Sequence, residues 1–317
     1  MSSHAQPAPI AVLGCTGTVG SALVHELAAQ NRAVVGLLRS PNRTPPAPPR
    51  IHPSSIAYAV TDATDVEQLT EVLRGTEALF LCTATAPDQV EVETRAITAA
   101  RRAHVRRIVK LSAPVVSAPA HVEVASWHRH IEGVLQQSGL DHACLRPRAF
   151  MQNWVRQAAV IAQTRTLLGS AGRATRNYVD ARDVAAIAAR LLCADHPLEG
   201  ACLQIDGPQA FNNADIAAKL TELTVAPVHS LNLTPEAHEQ ALMKHAGLPA
   251  WLARHLVELE VLAVQVAEPR SGNVEALLGA PARTMDAFLH EHASAFRLAS
   301  HIPGRAPGRQ PPHPEPR

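Results

Sequence analysis

Short apolar runs alternate along the chain with longer stretches in which apolar positions recur every three or four residues. The first run, Ile10–Leu13, ends in a glycine loop that opens straight into a helical pattern over Ala22–Ala29. Ala33–Leu38 reads as a second strand, followed by the proline-rich loop Pro41–Pro53. Ile56–Val60 reads as a third, followed by a helix over Val66–Leu73. The series continues with strand Ala78–Cys82, helix Val90–Ala103, strand Arg107–Leu111, helix Val124–Gln137 and strand His142–Leu145. Nearly continuous apolar strands separated by helices predict a parallel sheet covered on both faces. Right-handed crossovers make this a doubly wound α/β sheet of Rossmann type, with the glycine loop at its carboxyl edge.

Beyond residue 150 the pattern loosens. Asp183–Leu192 reads as a helix, Ala201–Ile205 as a strand, and 212–296 as mostly helical, including the amphipathic run Trp251–Val264. The expected organisation is a flexible N-terminus (1–8), a nucleotide-binding domain (9–150), a segment completing the sheet and adding a small helical lobe (151–299), and a disordered proline-rich tail (300–317). The lobe either closes over a substrate or pads the core.

The loop Gly14-Cys15-Thr16-Gly17-Thr18-Val19-Gly20 is the most specific motif. A strand turning sharply into a helix leaves unpaired N–H groups at the helix start, which favour an anionic phosphate. Side chains at Gly14, Gly17 or Gly20 obstruct the turn, the diphosphate or the helix–strand contact. Following a strand, preceding a helix and heading a series of βα units, the triplet points to a dinucleotide. An acidic residue about 20 positions on marks NAD in such folds. Here the second strand ends Leu37-Leu38-Arg39-Ser40-Pro41, with Arg43 close behind. A guanidinium beside a 2′-phosphate gives charge-assisted bonds of about 1.5–3 kcal/mol, so NADP(H) is expected over NAD(H). Asp62, followed by Ala63, accepts either from the adenine amino group or from the start of the helix near Asp65.

Composition narrows the classes. Lys+Arg 29 against Asp+Glu 28 leaves no basic footprint for a nucleic acid. No apolar run approaches the ~20 residues of a membrane span, and the polar N-terminus does not read as a signal peptide. The five cysteines form no CxxC pair and read as buried free thiols of a cytoplasmic protein. The 17 histidines do not carry a metal reading: His128 and His130 point apart on a helix, and His290-Glu291-His292 lacks the i,i+4 partner of a zinc motif. No Gly-x-Ser-x-Gly elbow supports a hydrolase.

Further blocks are Thr61-Asp62-Ala63-Thr64-Asp65, Arg106-Arg107-Ile108-Val109-Lys110-Leu111-Ser112, Trp127-His128-Arg129-His130-Ile131-Glu132 and Leu145-Arg146-Pro147 with Phe150-Met151-Gln152-Asn153. Tyr178 to Ala185, Gly247 to Leu252 and Pro281 to Thr284 continue the series. With the glycine loop, these resemble the NmrA-like branch of the atypical short-chain dehydrogenase/reductase superfamily, which includes quinone-reductase-like and triphenylmethane-reductase-like proteins. The resemblance spans Ile10 to Phe296. It implies an NAD(P) site to which Thr83, Ala84, Pro147 and Phe150 also contribute. The chain departs from the family at Leu13, where Thr is frequent, and at Arg148, where Asn is usual. The second change places a cation near the expected substrate entrance.

Ordinary short-chain reductases use a Tyr-x-x-x-Lys pair. Neither Tyr58 nor Tyr178 is followed by Lys four places on. Ser112, at the end of the fifth strand, either hydrogen-bonds a substrate carbonyl or caps the next segment. His128, i,i+4 to Glu132, is either a proton donor with a pKa near 6.5 or half of a surface pair. Asn153 and Trp154 line the substrate pocket or, for Trp154, fill the core. The expected activity is NADPH-dependent reduction of a small-molecule substrate, a quinone or conjugated aromatic carbonyl compound, whose product solvent can protonate. The alternatives are a non-catalytic NADP-binding sensor with a protein partner, and a non-redox biosynthetic enzyme on the same fold.

Overall fold

The computed structural model describes residues 7–43, 55–114 and 122–297; most of the 1–8 and 41–53 segments and all of 300–317 therefore lie outside the described residues. In chain order the first half runs β1 (Ile10–Leu13), α1 (Thr18–Ala29), β2 (Val34–Leu38), β3 (Ile56–Val60), α2 (Val66–Leu73), β4 (Ala78–Leu81), α3 (Gln89–Arg102) and β5 (Arg107–Leu111). Next come α4 (Glu123–Gln137), β6 (Asp141–Pro147), β7 (Ala149–Phe150), α5 (Gln152–Thr164), β8 (Thr166–Gly169), β9 (Arg176–Val179) and α6 (Ala181–Leu192). The chain finishes with β10 (Ala201–Ile205), β11 (Ala210–Phe211), α7 (Asn213–Thr224), β12 (His229–Asn232), α8 (Pro235–Ala246), α9 (Ala250–Gln265), α10 (Asn273–Leu278) and α11 (Met285–Glu291).

Seven strands form one parallel sheet in the order β10-β6-β5-β4-β1-β2-β3. The order reverses between β1 and β4, the crevice where open α/β sheets bind ligands. Alternation along β1 shows how the apolar run is used: Ile10 and Val12 face α1 and α6, while Ala11 and Leu13 face the layer of α2, α3 and α4. Leu23 and Leu27 of α1 meet Val184 and Ile187 of α6 on one side; Ile97, Ile131 and Leu135 cover the other. Each such fully buried side chain contributes about 1.5–3 kcal/mol. Helix starts are set by side-chain caps. Asp65 accepts from the Gln68 amide at α2, Asp180 from the Arg182 amide at α6, and Asn212 with Asp215 form a capping box at α7.

The later elements build a lobe over the carboxyl edge. Its core is Trp154, Ile161, Tyr178, Phe211, Ile216, Leu220, Phe288 and Phe296, beneath the small sheet β11-β9-β7 and the pair β12-β8. α9 lies against α4, with Leu262 on Val122 and Ala125, and Trp127 and Trp251 tilted at 6.1 Å between ring centroids. The same cluster takes in Ala113, just beyond the end of β5. All five cysteines are free, but only Cys15 and Cys144 are buried as expected: Cys82 and Cys193 are half-buried, and Cys202, on edge strand β10, is exposed. None of the described helices is long and apolar enough to cross a membrane.

Candidate functional site

The glycine loop forms a cradle of backbone. Gly14 has φ +81°, and a Cβ there would meet the Cys82 carbonyl oxygen at 2.4 Å. A Cβ on Gly20 would lie 2.1 Å from the Gly14 carbonyl oxygen, so α1 starts hard against the loop. Gly17 precedes α1 in extended conformation without a side-chain cap, and no acidic residue occupies the first turn. The opening amides at Thr18, Val19 and Gly20 are therefore left to an external anion. Thr16 is exposed on the rim of the loop. Arg156 of α5 adds a cation: its Nη2 donates to Thr18 Oγ1 at 2.5 Å. This cradle fits a dinucleotide diphosphate.

The adenosine end lies beyond β2. Arg39 is exposed and makes no hydrogen bond or ion pair among the described residues. Asp62 accepts from both the amide and hydroxyl of Thr64 at 2.8 Å, which lowers its pKa, and the nearby Arg39 charge lowers it further. Of the two helix-start roles, capping belongs to Asp65 and not to Asp62. Ala63 is half-buried beside α2.

At the ends of β4, β5 and β6 the side chains are tied into buried networks. Lys110 and Glu93, both with fully buried side chains, form an ion pair between β5 and α3. The same carboxylate accepts from Thr83 Oγ1 at 2.7 Å and from Gln89 Nε2 at 3.1 Å. Thr83 therefore offers a cofactor its backbone, as does the exposed Ala84 next to it. Ser112 continues the ladder, its amide donating to the Leu145 carbonyl at 2.7 Å. Its hydroxyl donates to Glu132 Oε1 at 2.6 Å, and Arg146 holds the same carboxylate through Nε at 3.0 Å. Among the described residues Ser112 caps no helix, and its hydroxyl proton goes to Glu132 and is not free for a substrate carbonyl.

His128 requires a correction as well. Its side chain is buried, and that desolvation, reinforced by the charge of Lys110, pushes the imidazole pKa well below 6.5. It is uncharged at neutral pH and cannot act as the imidazolium donor its unperturbed pKa suggests. The i,i+4 pairing with Glu132 does not form, because Glu132 turns to Ser112 and Arg146. Tyr178 is tilted against Trp154, 5.6 Å between ring centroids, and burial pushes its phenol up to about 12. Trp154 belongs to the lobe core, yet its Nε1 lacks a hydrogen-bond partner. Pro147 is buried and Phe150 packs on the sheet core. Arg148 pairs with Glu268 at 3.6 Å, and Asn153 accepts from Arg156 at 3.3 Å.

Residues 14–195, from the glycine loop through α6, match a family described as NAD(P)H-binding. The chain belongs to that family. An NAD(P)H azoreductase of Xenophilus azovorans is 31% identical over 294 residues, covering 92% of this chain and 100% of the relative. A (4-alkanoyl-5-oxo-2,5-dihydrofuran-3-yl)methyl phosphate reductase of Streptomyces griseus is 32% identical over 298 residues, covering 90% and 99%. Among solved structures, an NADPH-dependent quinone oxidoreductase from Escherichia coli, complexed with NADPH, superposes with a TM-score of 0.77. The two are 26% identical over 90% of this chain and 98% of that one. As an NAD(P)H-binding protein, the chain is an NAD(P)H-dependent oxidoreductase.

Several residues of this NAD(P)H-binding site escape a reading of the sequence. Arg156 and Thr18 are 138 positions apart, and Glu93 and Lys110 are 17 apart on different elements. Glu132 is visible only as the neighbour of His128, with nothing to announce that it serves Ser112. A group with metal-ligand chemistry also exists among the described residues: oxygen and sulfur atoms of Glu132, Cys144 and Cys202 lie within 4.8 Å of one another. It forms because Cys144 and Cys202 are register partners on β6 and β10, which no local spacing reveals.

Proposed function

We propose that the chain uses NADPH to reduce a quinone or a conjugated aromatic carbonyl compound. The observation that carries this reading is the state of the groups around the ends of β5 and β6. His128 is neutral, Ser112's proton is committed to Glu132, and Tyr178 is a poor acid. Among the described residues no side chain there is poised to protonate a developing alkoxide, which favours an acceptor that delocalises its own charge until solvent protonates it. Quinones and conjugated carbonyls do so; a simple saturated ketone does not. The names of the azoreductase and quinone oxidoreductase relatives support the same class.

The coenzyme, when bound, supplies hydride from its nicotinamide. The chain's residues position it: the α1 amides and Arg156 hold the diphosphate, Arg39 pairs with a 2′-phosphate, and Asp62 meets the adenine. The Lys110–Glu93–Thr83 network keeps the edge beside the nicotinamide rigid, and α9 covers the reacting centre against water. The test is an anaerobic acceptor panel with NADPH. Turnover of quinones and conjugated carbonyls, without turnover of saturated ketones, is expected. Equal turnover of saturated ketones, or none of any acceptor, overturns the reading.

A further inference from the structure

Around the ends of β5 and β6 the structure gathers buried nitrogen atoms that have no hydrogen-bond partner. They are His128 Nδ1 on α4, His255 Nδ1 on α9, Arg148 Nε after β6 and Arg176 Nε on β9. Buried polar atoms are nearly always paired in native proteins, so a group of orphans on converging elements calls for an explanation. The elements do converge. α9 lies on α4, the β7–β9 register sets Ala149 beside Tyr178, and Arg176 is two residues before Tyr178. After desolvation, the Arg176 charge is what depresses the His255 imidazole, and His255 in turn bears on His128.

The cations of this group are not equivalent. Arg148 has Glu268 at 3.6 Å, whose other oxygen takes the Asn177 amide at 2.7 Å. Glu260 is held by Ser170 and His238. Glu258 stands 4.0 Å from His255 Nδ1, beyond hydrogen-bond reach. The Arg176 side chain makes no hydrogen bond or ion pair among the described residues, although its Nε is shut off from solvent. A guanidinium with no carboxylate in ion-pair reach favours an oxyanion. It lies on β9 two residues before Tyr178, whose ring is tilted against Trp154.

Resting on the reductase reading of this same cleft, we infer that the acceptor is an aromatic compound bearing an oxyanion group, a sulfonate, carboxylate or phosphate, that seats on Arg176. The planar guanidinium takes the anion through paired N–H groups. Arg176 is thereby a specificity-determining residue. It takes no part in hydride transfer.

The test compares a naphthoquinone sulfonate with the same naphthoquinone lacking the sulfonate, using NADPH and the full chain. The wild type is expected to favour the sulfonate in kcat/KM. Arg176→Met is expected to lower the ratio of anionic to neutral kcat/KM roughly 10- to 100-fold, chiefly through KM. Arg176→Lys, which keeps the charge but loses the fork, is expected to fall between. A ratio unchanged in Arg176→Met, or equal losses on both acceptors, overturns the assignment. Should neither acceptor be reduced, the reductase reading fails by itself. Calorimetric titration of the NADP+-loaded chain with naphthalenesulfonate and with naphthalenemethanol then still decides the anion subsite. Tighter binding of the sulfonate that disappears in Arg176→Met supports it; equal binding overturns it.

Discussion

Replacing Lys110 by Met removes an ammonium group from a site with no access to water. Both side chains of the Lys110–Glu93 pair are fully buried, and the remaining partners of Glu93 are the neutral Thr83 hydroxyl and Gln89 amide. Two neutral hydrogen bonds do not compensate a carboxylate at that depth, so Lys110→Met should cost about 3–5 kcal/mol. That is a large part of the ~5–15 kcal/mol by which a domain is stable, and shifts the folded-to-unfolded ratio roughly a hundred- to a few thousand-fold. Glu93→Gln in the same chain removes the stranded charge and should recover most of the loss, giving a coupling of about 2 kcal/mol or more. Urea unfolding followed by the fluorescence of Trp127, Trp154 and Trp251 measures all of this. Additive costs in the double variant, or a single-variant cost below about 1 kcal/mol, would show that the pair is not the keystone of this edge.

Arg156→Ala should weaken NADPH binding about 10-fold while leaving the unfolding midpoint nearly unchanged, because Arg156 is exposed and touches the phosphate loop only through Thr18. Fluorescence titration checks this, and an unaltered Kd discards the diphosphate role. His128, held neutral by burial with Lys110 nearby, binds its proton more weakly folded than unfolded. Its contribution is therefore complete above about pH 6.5 and is lost as pH falls below that, by up to about 1.4 kcal/mol per pH unit. His128→Gln should flatten this limb of the stability-versus-pH curve; an unchanged slope would mean that His128 is charged in the native protein.

The sheet is written locally, which is why its strands are so readable. Ile10–Leu13, Ile56–Val60, Arg107–Leu111 and Ala201–Ile205 are apolar runs bounded by turn residues, and each forms a strand with those bounds. β12 is the opposite case: His229–Asn232 is exposed at every position, and it pairs with β8 by tertiary placement alone. β7 and β11 are two residues long, too short for any periodicity. The glycine cradle is legible because a phosphate loop needs particular residues at adjacent positions. The catalytic end is not, since its networks join distant elements. His128 shows the difference well: residue type suggests an acid, whereas burial makes it a neutral imidazole.

Isothermal titration of the purified chain with NADPH and with NADH, repeated on Arg39→Asp, bears most directly on the coenzyme at the heart of this chemistry. Saturable heat with NADPH, roughly 10- to 150-fold weaker binding of NADH, and reversal of that order in the variant are expected. Absence of heat from either coenzyme contradicts the diphosphate cradle itself, and an unchanged ratio in Arg39→Asp contradicts the 2′-phosphate contact.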